Sequence, residues 1–497
     1  MLAPVACLVA DAAQAEPRQI WQTVWRWRNL ELIWNTLTLG VAVLGMTTFI
    51  AIPVAWLTTR SDLPFKRLFT VALILPLAVP GYLIAYTLLS VSGRYGAAFV
   101  LTGVPLPRID GFLGAMVALS LYQLPYLLLN LRAALLDLDC GLEEIARSLG
   151  HRPWHAFFTV VLPQLRPALY AGWLLVGLHV INDFGVVSLM GYPTLSFALY
   201  QKLEVLDGVG AAWVALMLLA AAGSLIGIEW WLLRRLRLHR VGTAVPAVAG
   251  VVALGIWRWP AMVFLLCLFV GSLFIPLATI CYWATQADYG VLWLQLQTAL
   301  MHSVGVGLPA AVAAVALAAP IAYLARRYSS KRSLFLERFA FVGYAVPALA
   351  FALGLVVATL AFARPLYQTV FILVYAYSLH FLAEAVAPLR AALFRASPRV
   401  EEAARSLGHG QLSTLVRVTL PLLRPGLVAA VSLVLLSCIK ELPLTLVLAP
   451  PDFETLSTQV WKNTEDIRYA EAAPFAMLIL VVASVSVFVL LRIERSP

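Results

Sequence analysis

Long apolar stretches separated by short polar segments dominate the hydropathy pattern of this 497-residue chain. A helix needs about 20 mostly apolar residues to cross the hydrocarbon core of a bilayer. Eleven stretches meet this requirement, near 34–59, 68–91, 112–135, 168–190, 209–233, 259–283, 299–325, 339–363, 367–389, 426–449 and 470–491. The pattern therefore predicts an all-α polytopic membrane protein with 11 or 12 transmembrane helices.

Composition supports this class and excludes several others. Hydrophobic residues make up 62% of the chain and charged residues 12%, whereas soluble domains carry about 25% charged residues. A soluble enzyme, a disordered chain and a nucleic-acid binder are excluded, although the net charge is +10. The five cysteines lie far apart, without metal-ligand spacing. No phosphate-binding loop of the G-x-x-x-x-G-K-[ST] type is present, so any ATP must be bound by another subunit.

The basic residues indicate the orientation in the membrane. If the segment 136–167 is cytoplasmic, 25 of the 35 lysines and arginines fall on the cytoplasmic side. Cytoplasmic loops of membrane proteins carry an excess of Lys and Arg. The distribution therefore favours this orientation, with a cytoplasmic C-terminus.

An internal repeat divides the chain into two homologous halves. Residues 143–167 and 401–425 are identical at 14 of 25 positions without a gap. Further upstream, where the offset between the two halves changes, Arg60 aligns with Arg327 and Pro80 aligns with Pro347. We predict a first half over 1–240, a cytoplasmic linker over 241–257 and a second half over 258–497. The repeated loops lie at 140–167 and 398–425.

The N-terminal segment suggests why one half has five predicted spans and the other has six. Residues 1–15 align loosely with 273–287. We hypothesise that the chain begins within a helix, because a late start codon omits the front of a twelfth span. The alternative is a short interfacial tail; a cleaved signal peptide fits less well, because Asp11 interrupts the apolar run.

Each repeated loop predicts a short cytoplasmic helix. Asp139 and Ser397 occupy equivalent positions and suit N-caps, and Gly150 and Gly408 suit the C′ position that ends a helix. Later prolines predict a stop before the next span and then the start of that span. They are Pro163 and Pro421 at the stop, and Pro167 and Pro425 at the start.

A helix of about ten residues is marginal alone in water, so these helices must pack on something. In each copy an alanine and a leucine form a small apolar face beside an arginine, which suits insertion into a groove on a partner. The candidate coupling residues are Glu143, Glu144, Ala146, Arg147, Leu149, Gly150, Glu401, Glu402, Ala404, Arg405, Leu407 and Gly408.

Both copies carry a spacing that resembles the EAA loop of bacterial ABC importer permeases. The spacing is Glu-x-Ala-x-x-x-Gly, nine residues, an aliphatic residue, one more residue and Leu-Pro. It begins at Glu144 and at Glu402. Ile145 replaces the usual alanine in the first copy, and valine replaces the usual isoleucine in both. The alternative is an ordinary amphipathic helix between spans.

The resemblance implies two homologous type I permease halves fused in one chain of the bacterial inner membrane. Each EAA loop would dock on one of two copies of a separate cytoplasmic ATPase, which binds ATP and Mg²⁺. A periplasmic or other extracytoplasmic binding protein would deliver the substrate. The chain itself would contact membrane lipid, bind no nucleic acid, cofactor or metal of its own, and catalyse no reaction.

Charged and polar residues at bilayer depth form a second candidate site. Asn182, Asp183, Lys440 and Glu441 lie at equivalent places in the two halves. Such residues are costly in a membrane and usually face a cavity or the bundle interior. They line the translocation path, or they satisfy the backbone where Gly185 and Pro443 break the helices. A further pair, His380 and Glu384, forms a metal or proton site or hydrogen-bonds within the bundle.

The fused layout, with NDFG at 182–185 and KELPLTL at 440–446, resembles the ferric-iron branch of these permeases. Thiamine and phosphonate importers share the fused layout, so the substrate stays open at this point. An ion-coupled secondary transporter is a more remote alternative, because it would not need two matched cytoplasmic loops. A membrane-embedded enzyme would need a reactive constellation, and the sequence shows none.

Overall fold

Helices make up nearly all of the secondary structure in the part of the chain that the computed structural model describes. The described residues are 2–13, 26–94, 96–138, 141–150, 152–235, 252–328 and 330–495. Within these ranges, β pairing is limited to two isolated bridges, Ser61 with Val252 and Gly93 with Leu106. The predicted all-α class is confirmed.

The α-helices in the described residues of the first half are α1 (Leu2–Ala12), α2 (Trp27–Arg60), α3 (Lys66–Ile74), α4 (Gly81–Val91), α5 (Ala97–Thr102), α6 (Gly111–Asp137), α7 (Gly141–Ser148), α8 (Pro153–Ala156), α9 (Leu162–Gln164), α10 (Arg166–Asn182), α11 (Gly185–Leu189), α12 (Leu195–Glu204) and α13 (Gly208–Arg235). A 3-10 turn, Leu75–Ala78, follows α3, and a π-helical turn, Phe157–Val161, follows α8.

Those in the second half are α14 (Arg258–Phe269), α15 (Ile275–Thr285), α16 (Tyr289–Arg327), α17 (Lys331–Ala340), α18 (Val342–Ala345), α19 (Ala348–Phe362), α20 (Val370–His380), α21 (Leu382–Arg395), α22 (Pro398–Ser406), α23 (Gln411–Thr414), α24 (Leu420–Lys440), α25 (Pro443–Leu448), α26 (Leu456–Glu465) and α27 (Tyr469–Arg495). Non-α turns here are the 3-10 segments Gly255–Trp257 and Arg364–Leu366 and the π-helical turns Val270–Phe274 and Leu415–Thr419.

The predicted spans correspond to helices of three kinds in the described residues. Seven are helices long and apolar enough to cross a membrane. Two more are bent pairs: α3 with α4 at 97° and α20 with α21 at 50°. The stretches 168–190 and 339–363 contain the shorter helices α10 and α19, of 17 and 15 residues. Helix breaks within the apolar stretches account for the difference.

One compact unit comprises Trp27–Ala198 and Ala220–Tyr282 and is called the first-repeat unit here. In it α6 packs against α2, α10 and α4. Small residues allow close helix approach in membranes, and Gly172 of α10 illustrates this: a Cβ there would lie 2.4 Å from Cδ1 of Leu127. The unit is therefore held by close contacts between long helices.

The described end of the predicted linker, from Val252 onward, is anchored to the end of α2. Residues 241–251 of that linker lie outside the described residues. Val252 N–H donates to the carbonyl of Arg60 at 2.8 Å, and the Asp62 carboxylate accepts from Leu254 N–H at 2.9 Å. Arg258 donates to the same carboxylate at 2.6 Å. The Leu254 N–H, followed by the Arg258 guanidinium, holds the pKa of Asp62 below its ordinary value.

The other compact unit comprises Met1–Arg26, Leu199–Leu219 and Trp283–Pro497 and is called the second-repeat unit. Its core is formed by apolar residues of α16, α19, α20, α21 and α24. Helix α1 packs against α19 in this unit, and Val5 contacts the core. Gly354 of α19 is the point of closest approach, because a Cβ there would lie 2.5 Å from the carbonyl oxygen of Pro4.

This contact predicts a specific sensitivity at Gly354. A Gly354→Ala substitution should displace α1 and lower the free energy of unfolding by about 1–3 kcal/mol, as overpacking does. The measurement is the thermal unfolding transition of the detergent-purified protein. Gly305→Ala in α16 is the control, because a Cβ there meets nothing within 4 Å. Deletion of residues 2–13 should abolish the effect of Gly354→Ala; an effect that persists would contradict the proposed contact.

Candidate functional site

The two coupling helices, α7 and α22, begin and end largely as the sequence predicts. The Ser397 hydroxyl accepts a hydrogen bond from Arg399 N–H at 3.4 Å, so the predicted N-cap is confirmed; Asp139 lies outside the described residues. Gly150 and Gly408 have φ values of 87° and 88°, which confirms both C′ positions. This left-handed conformation is accessible to glycine at little cost.

The outward face of these helices differs from the predicted one. Leu149 and Leu407 are 75% and 81% exposed, as a docking face requires. Ala146 and Ala404 are instead buried, because α7 and α22 pack on the π-helical turns that follow them. The predicted apolar face is therefore wrong in its alanines, and Ile145 is an exposed apolar neighbour that the sequence analysis missed.

The charged residues of the two helices also separate by burial. Arg147, Glu402 and Arg405 are exposed and Glu143 is half-buried, whereas Glu401 is buried. The structure does not describe the side chain of Glu144. The two adjacent glutamates of the second copy therefore face different surroundings.

Glu401 belongs to a network with the C-terminal end of α16. Its Oε1 atom accepts from Nε and Nη2 of Arg327 at 3.1 and 3.0 Å. Its Oε2 atom accepts from the Tyr323 hydroxyl at 3.1 Å. Arg327 Nη2 also donates to the carbonyl of Ala396 at 2.9 Å. Arg405 lies 4.0 Å from the same carboxylate.

The chain stays helical through the Leu-Pro pairs that follow each coupling helix. Pro421 lies in α24, which continues to Lys440, so the predicted stop is wrong in the second copy. In the first copy α9 ends at Gln164, the residue after Pro163, and α10 begins at Arg166. A proline lacks an N–H and its ring clashes with the carbonyl of residue i−4 in a regular α-helix. Here a π-helical turn precedes each pair, and Leu162 N–H donates to the carbonyl of Phe157, five residues earlier. The wider turn accommodates the proline.

The predicted start of the next span at a proline is found in one copy only. Pro167 lies at the start of α10, as predicted, whereas Pro425 lies inside α24. In the second copy Leu420 N–H donates to the carbonyl of Leu415, and the helix then continues to Lys440. The span of this half therefore begins earlier than the sequence indicates.

The intramembrane acids lie at two equivalent helix breaks. Helix α10 ends just before Asp183, and α24 ends just before Glu441. The Asp183 carboxylate accepts from Val186 N–H at 2.8 Å, and the Glu441 carboxylate accepts from Leu444 N–H at 3.0 Å. Each acid thus satisfies the start of the helix that follows it.

Hydroxyl groups complete both breaks. Ser196 donates to the main-chain carbonyl of Asp183 and Ser457 to that of Glu441, each at 2.6 Å. Asn182 retains a buried Oδ1 atom without a hydrogen-bond partner among the described residues. The geometry supports the structural interpretation of the two acids, in which they satisfy the backbone at the breaks.

Glu384 joins this polar region in the second-repeat unit. Ser437 donates to its Oε2 atom at 2.6 Å, and Lys440 attracts it electrostatically. His380 is the last residue of α20, at its bend with α21, and its ring stacks on that of Phe351 with centroids 6.1 Å apart. Glu384 thus hydrogen-bonds within the bundle; within the described ranges, no three His, Cys, Asp or Glu residues group to hold a metal ion.

The first-repeat unit places different side chains at the equivalent positions. Tyr126 and His179 correspond to Glu384 and Ser437, and their rings are in contact, tilted by 35° with centroids 4.7 Å apart. A carboxylate–hydroxyl contact in one repeat is therefore an aromatic contact in the other. The sequence could have identified this pair, because the repeat offset aligns Tyr126 of α6 with Glu384 and His179 of α10 with Ser437.

Comparison with known proteins places this geometry in a family. The family model described as "Binding-protein-dependent transport system inner membrane component" matches residues 47–238 and 310–494. The Fe(3+)-transport system permease protein FbpB 2 of Haemophilus influenzae is 30% identical over 94% of this chain and 91% of its own length.

Two further relatives align with less than half of the chain. The molybdenum transport system permease protein ModB of Escherichia coli is 28% identical over 40% of this chain and 93% of its own length. The sulfate transport system permease protein CysT of Escherichia coli is 27% identical over 45% of this chain and 83% of its own length. The two matched segments and the full-length relative lead to one conclusion: the chain belongs to the binding-protein-dependent transport system inner membrane components.

Proposed function

We propose that this chain is the permease of an ATP-driven importer for ferric iron in the bacterial inner membrane, with its C-terminus in the cytoplasm. Two copies of a separate ATPase bind α7 and α22, and a periplasmic binding protein delivers the iron. The observation that carries the substrate assignment is the similarity to the Fe(3+)-transport permease over nearly the whole length of both chains. The molybdenum and sulfate permeases match less than half of this chain.

The charges at bilayer depth support a cation as the substrate. Asp183 lies at the break of the first repeat, and Glu441 and Glu384 lie at and near the break of the second. Lys440 is the accompanying basic residue. Carboxylates in a low-dielectric region attract a cation and repel an oxyanion such as molybdate or sulfate.

The exposed surfaces of α7 and α22 support coupling to a separate ATPase. Leu149 and Leu407 stand exposed at the ends of α7 and α22, each just before a C′ glycine. An exposed apolar side chain flanked by charged residues suits the centre of a small docking interface. Movement of the bound ATPase would then act directly on the helices that lead into α10 and α24.

The direct test is reconstitution of the chain with its ATPase in proteoliposomes, with the iron-loaded binding protein outside. We expect uptake of radiolabelled ferric iron that requires ATP and survives collapse of the proton gradient. Uptake that survives ATP removal and stops with the proton gradient would instead indicate a secondary transporter. Transport of thiamine or a phosphonate in place of iron would overturn the substrate assignment.

A docking variant tests the coupling helices. The double substitution Leu149→Asp and Leu407→Asp should weaken ATPase binding by about tenfold or more, because charged groups replace the apolar anchors. Binding is measured by titrating the purified ATPase onto the detergent-solubilised permease. Leu206→Asp is the matched control, since Leu206 is 91% exposed and lies in a loop on the predicted outer side. Unchanged binding in the double variant would refute docking at these leucines.

Isosteric substitutions test the acids at the two breaks. Asp183→Asn and Glu441→Gln keep an oxygen that accepts from Val186 and Leu444 N–H but remove the charge. We expect iron uptake to fall about tenfold, equivalent to about 1.4 kcal/mol of lost interaction, with unchanged thermal stability. Asp183→Ala should also lower stability, because the cap is lost. If the isosteric variants transport normally and only the alanine variant fails, the acids act only as caps.

A further inference from the structure

The two adjacent glutamates of the second coupling helix have separate surroundings. The Glu402 side chain is exposed on α22, whereas the Glu401 side chain is 6% exposed and the Arg327 side chain that binds it is 8% exposed. Both carboxylate oxygens of Glu401 are occupied, one by Arg327 and one by Tyr323. Its polar atoms are therefore directed into the protein and not towards a partner.

We propose that Glu401 is a positioning residue, through which Arg327 and Tyr323 make α22 and the cytoplasmic end of α16 move as one body. This inference rests on the proposed coupling function and divides the roles within the motif. Glu402 and Leu407 meet the ATPase, and Glu401 passes the movement of α22 on to a membrane-spanning helix.

The geometry suits a rigid connection. Arg327 is the last residue of α16, and Tyr323 lies one turn earlier on the same helix. The planar guanidinium offers two N–H groups to one oxygen of Glu401 and a further bond to the carbonyl of Ala396, the C-cap residue of α21. A pair this buried is strongly disrupted when one partner is removed, because the remaining charge has no solvent to receive it. An exposed pair would instead exchange freely with water.

The first repeat uses the equivalent arginine in a related way. Arg60 ends α2 as Arg327 ends α16, and it is 6% exposed. Its Nη2 atom donates to the carbonyl of Leu135 near the end of α6 at 2.8 Å. A buried arginine at the cytoplasmic end of the long span therefore bonds the end of a neighbouring span in both repeats. In the second repeat the arginine also binds a carboxylate of the coupling helix, that of Glu401.

The test separates docking from transmission. Glu401→Gln and, as the matched control, Glu402→Gln are each assembled with the ATPase and the iron-loaded binding protein in proteoliposomes. ATPase affinity and the number of iron ions imported per ATP hydrolysed are measured separately. For Glu401→Gln we expect unchanged ATPase affinity and a ratio lowered about tenfold, within the usual range of coupling energies. For Glu402→Gln we expect weaker ATPase binding and an unchanged ratio in the complexes that form.

Each outcome decides the inference. A normal import ratio in Glu401→Gln overturns it, and so does a loss of ATPase affinity equal to that of Glu402→Gln. Recovery of the ratio in the exchanged pair Arg327→Glu with Glu401→Arg supports it. Failure of the unsubstituted chain to bind any ATPase would overturn the proposed function itself, which is a different result.

A second measurement keeps Glu401 in place and covers the case in which Glu401→Gln fails to fold. Spin labels are placed at Leu324→Cys and Arg399→Cys in a variant that lacks the five native cysteines. The distance between the labels should be the same with the ATPase empty and with ATP bound, because α16 and α22 move together. A change in that distance between the two states would overturn the inference.

Discussion

The structure depends on one constraint: a backbone N–H or C=O group in the hydrocarbon region must find a partner within the protein. Unbroken helices satisfy this rule by themselves, but α10 and α24 both stop inside the apolar region. At these two places side chains supply the missing partners. A carboxylate accepts from the N–H groups of the next helix, and a serine hydroxyl donates to the main-chain carbonyl at the break.

The residues that satisfy the backbone at the breaks are also ionisable acids. A serine or an asparagine could cap these helices equally well, yet both repeats carry an acid at the break. An ionisable group at bilayer depth is costly unless it is used or paired. A helix cap and a cation-attracting group can therefore be the same residue, and this double role is the one proposed above for Asp183 and Glu441.

The repeats share their framework and differ in its polar lining. Both have a coupling helix that ends at a left-handed glycine, a π-helical turn before Leu-Pro, and a broken span. Next to the break, however, the rings of Tyr126 and His179 are in contact in one repeat, and Ser437 donates to Glu384 in the other. Fusion of two halves in one chain permits this divergence, because each half has its own sequence and occupies only one of the two positions. The shared framework follows from backbone requirements, whereas the polar side chains beside the break differ between the repeats.

The sequence by itself determined the membrane class, the repeat, and the local signals that act over a few residues. Ser397 as a cap and Gly150 and Gly408 as helix ends follow from neighbours along the chain, and so does the position of the breaks beside Gly185 and Pro443. Only the tertiary structure decided which side chains are buried. The sequence analysis assigns Glu401 and Glu402 to the same coupling role, and Ala404 looks like part of a docking face. Their environments are set by Arg327, 74 residues away from Glu401, and by the π-helical turn on which α22 packs. Burial depends on contacts between distant segments, and no local pattern encodes which of two adjacent residues will face them.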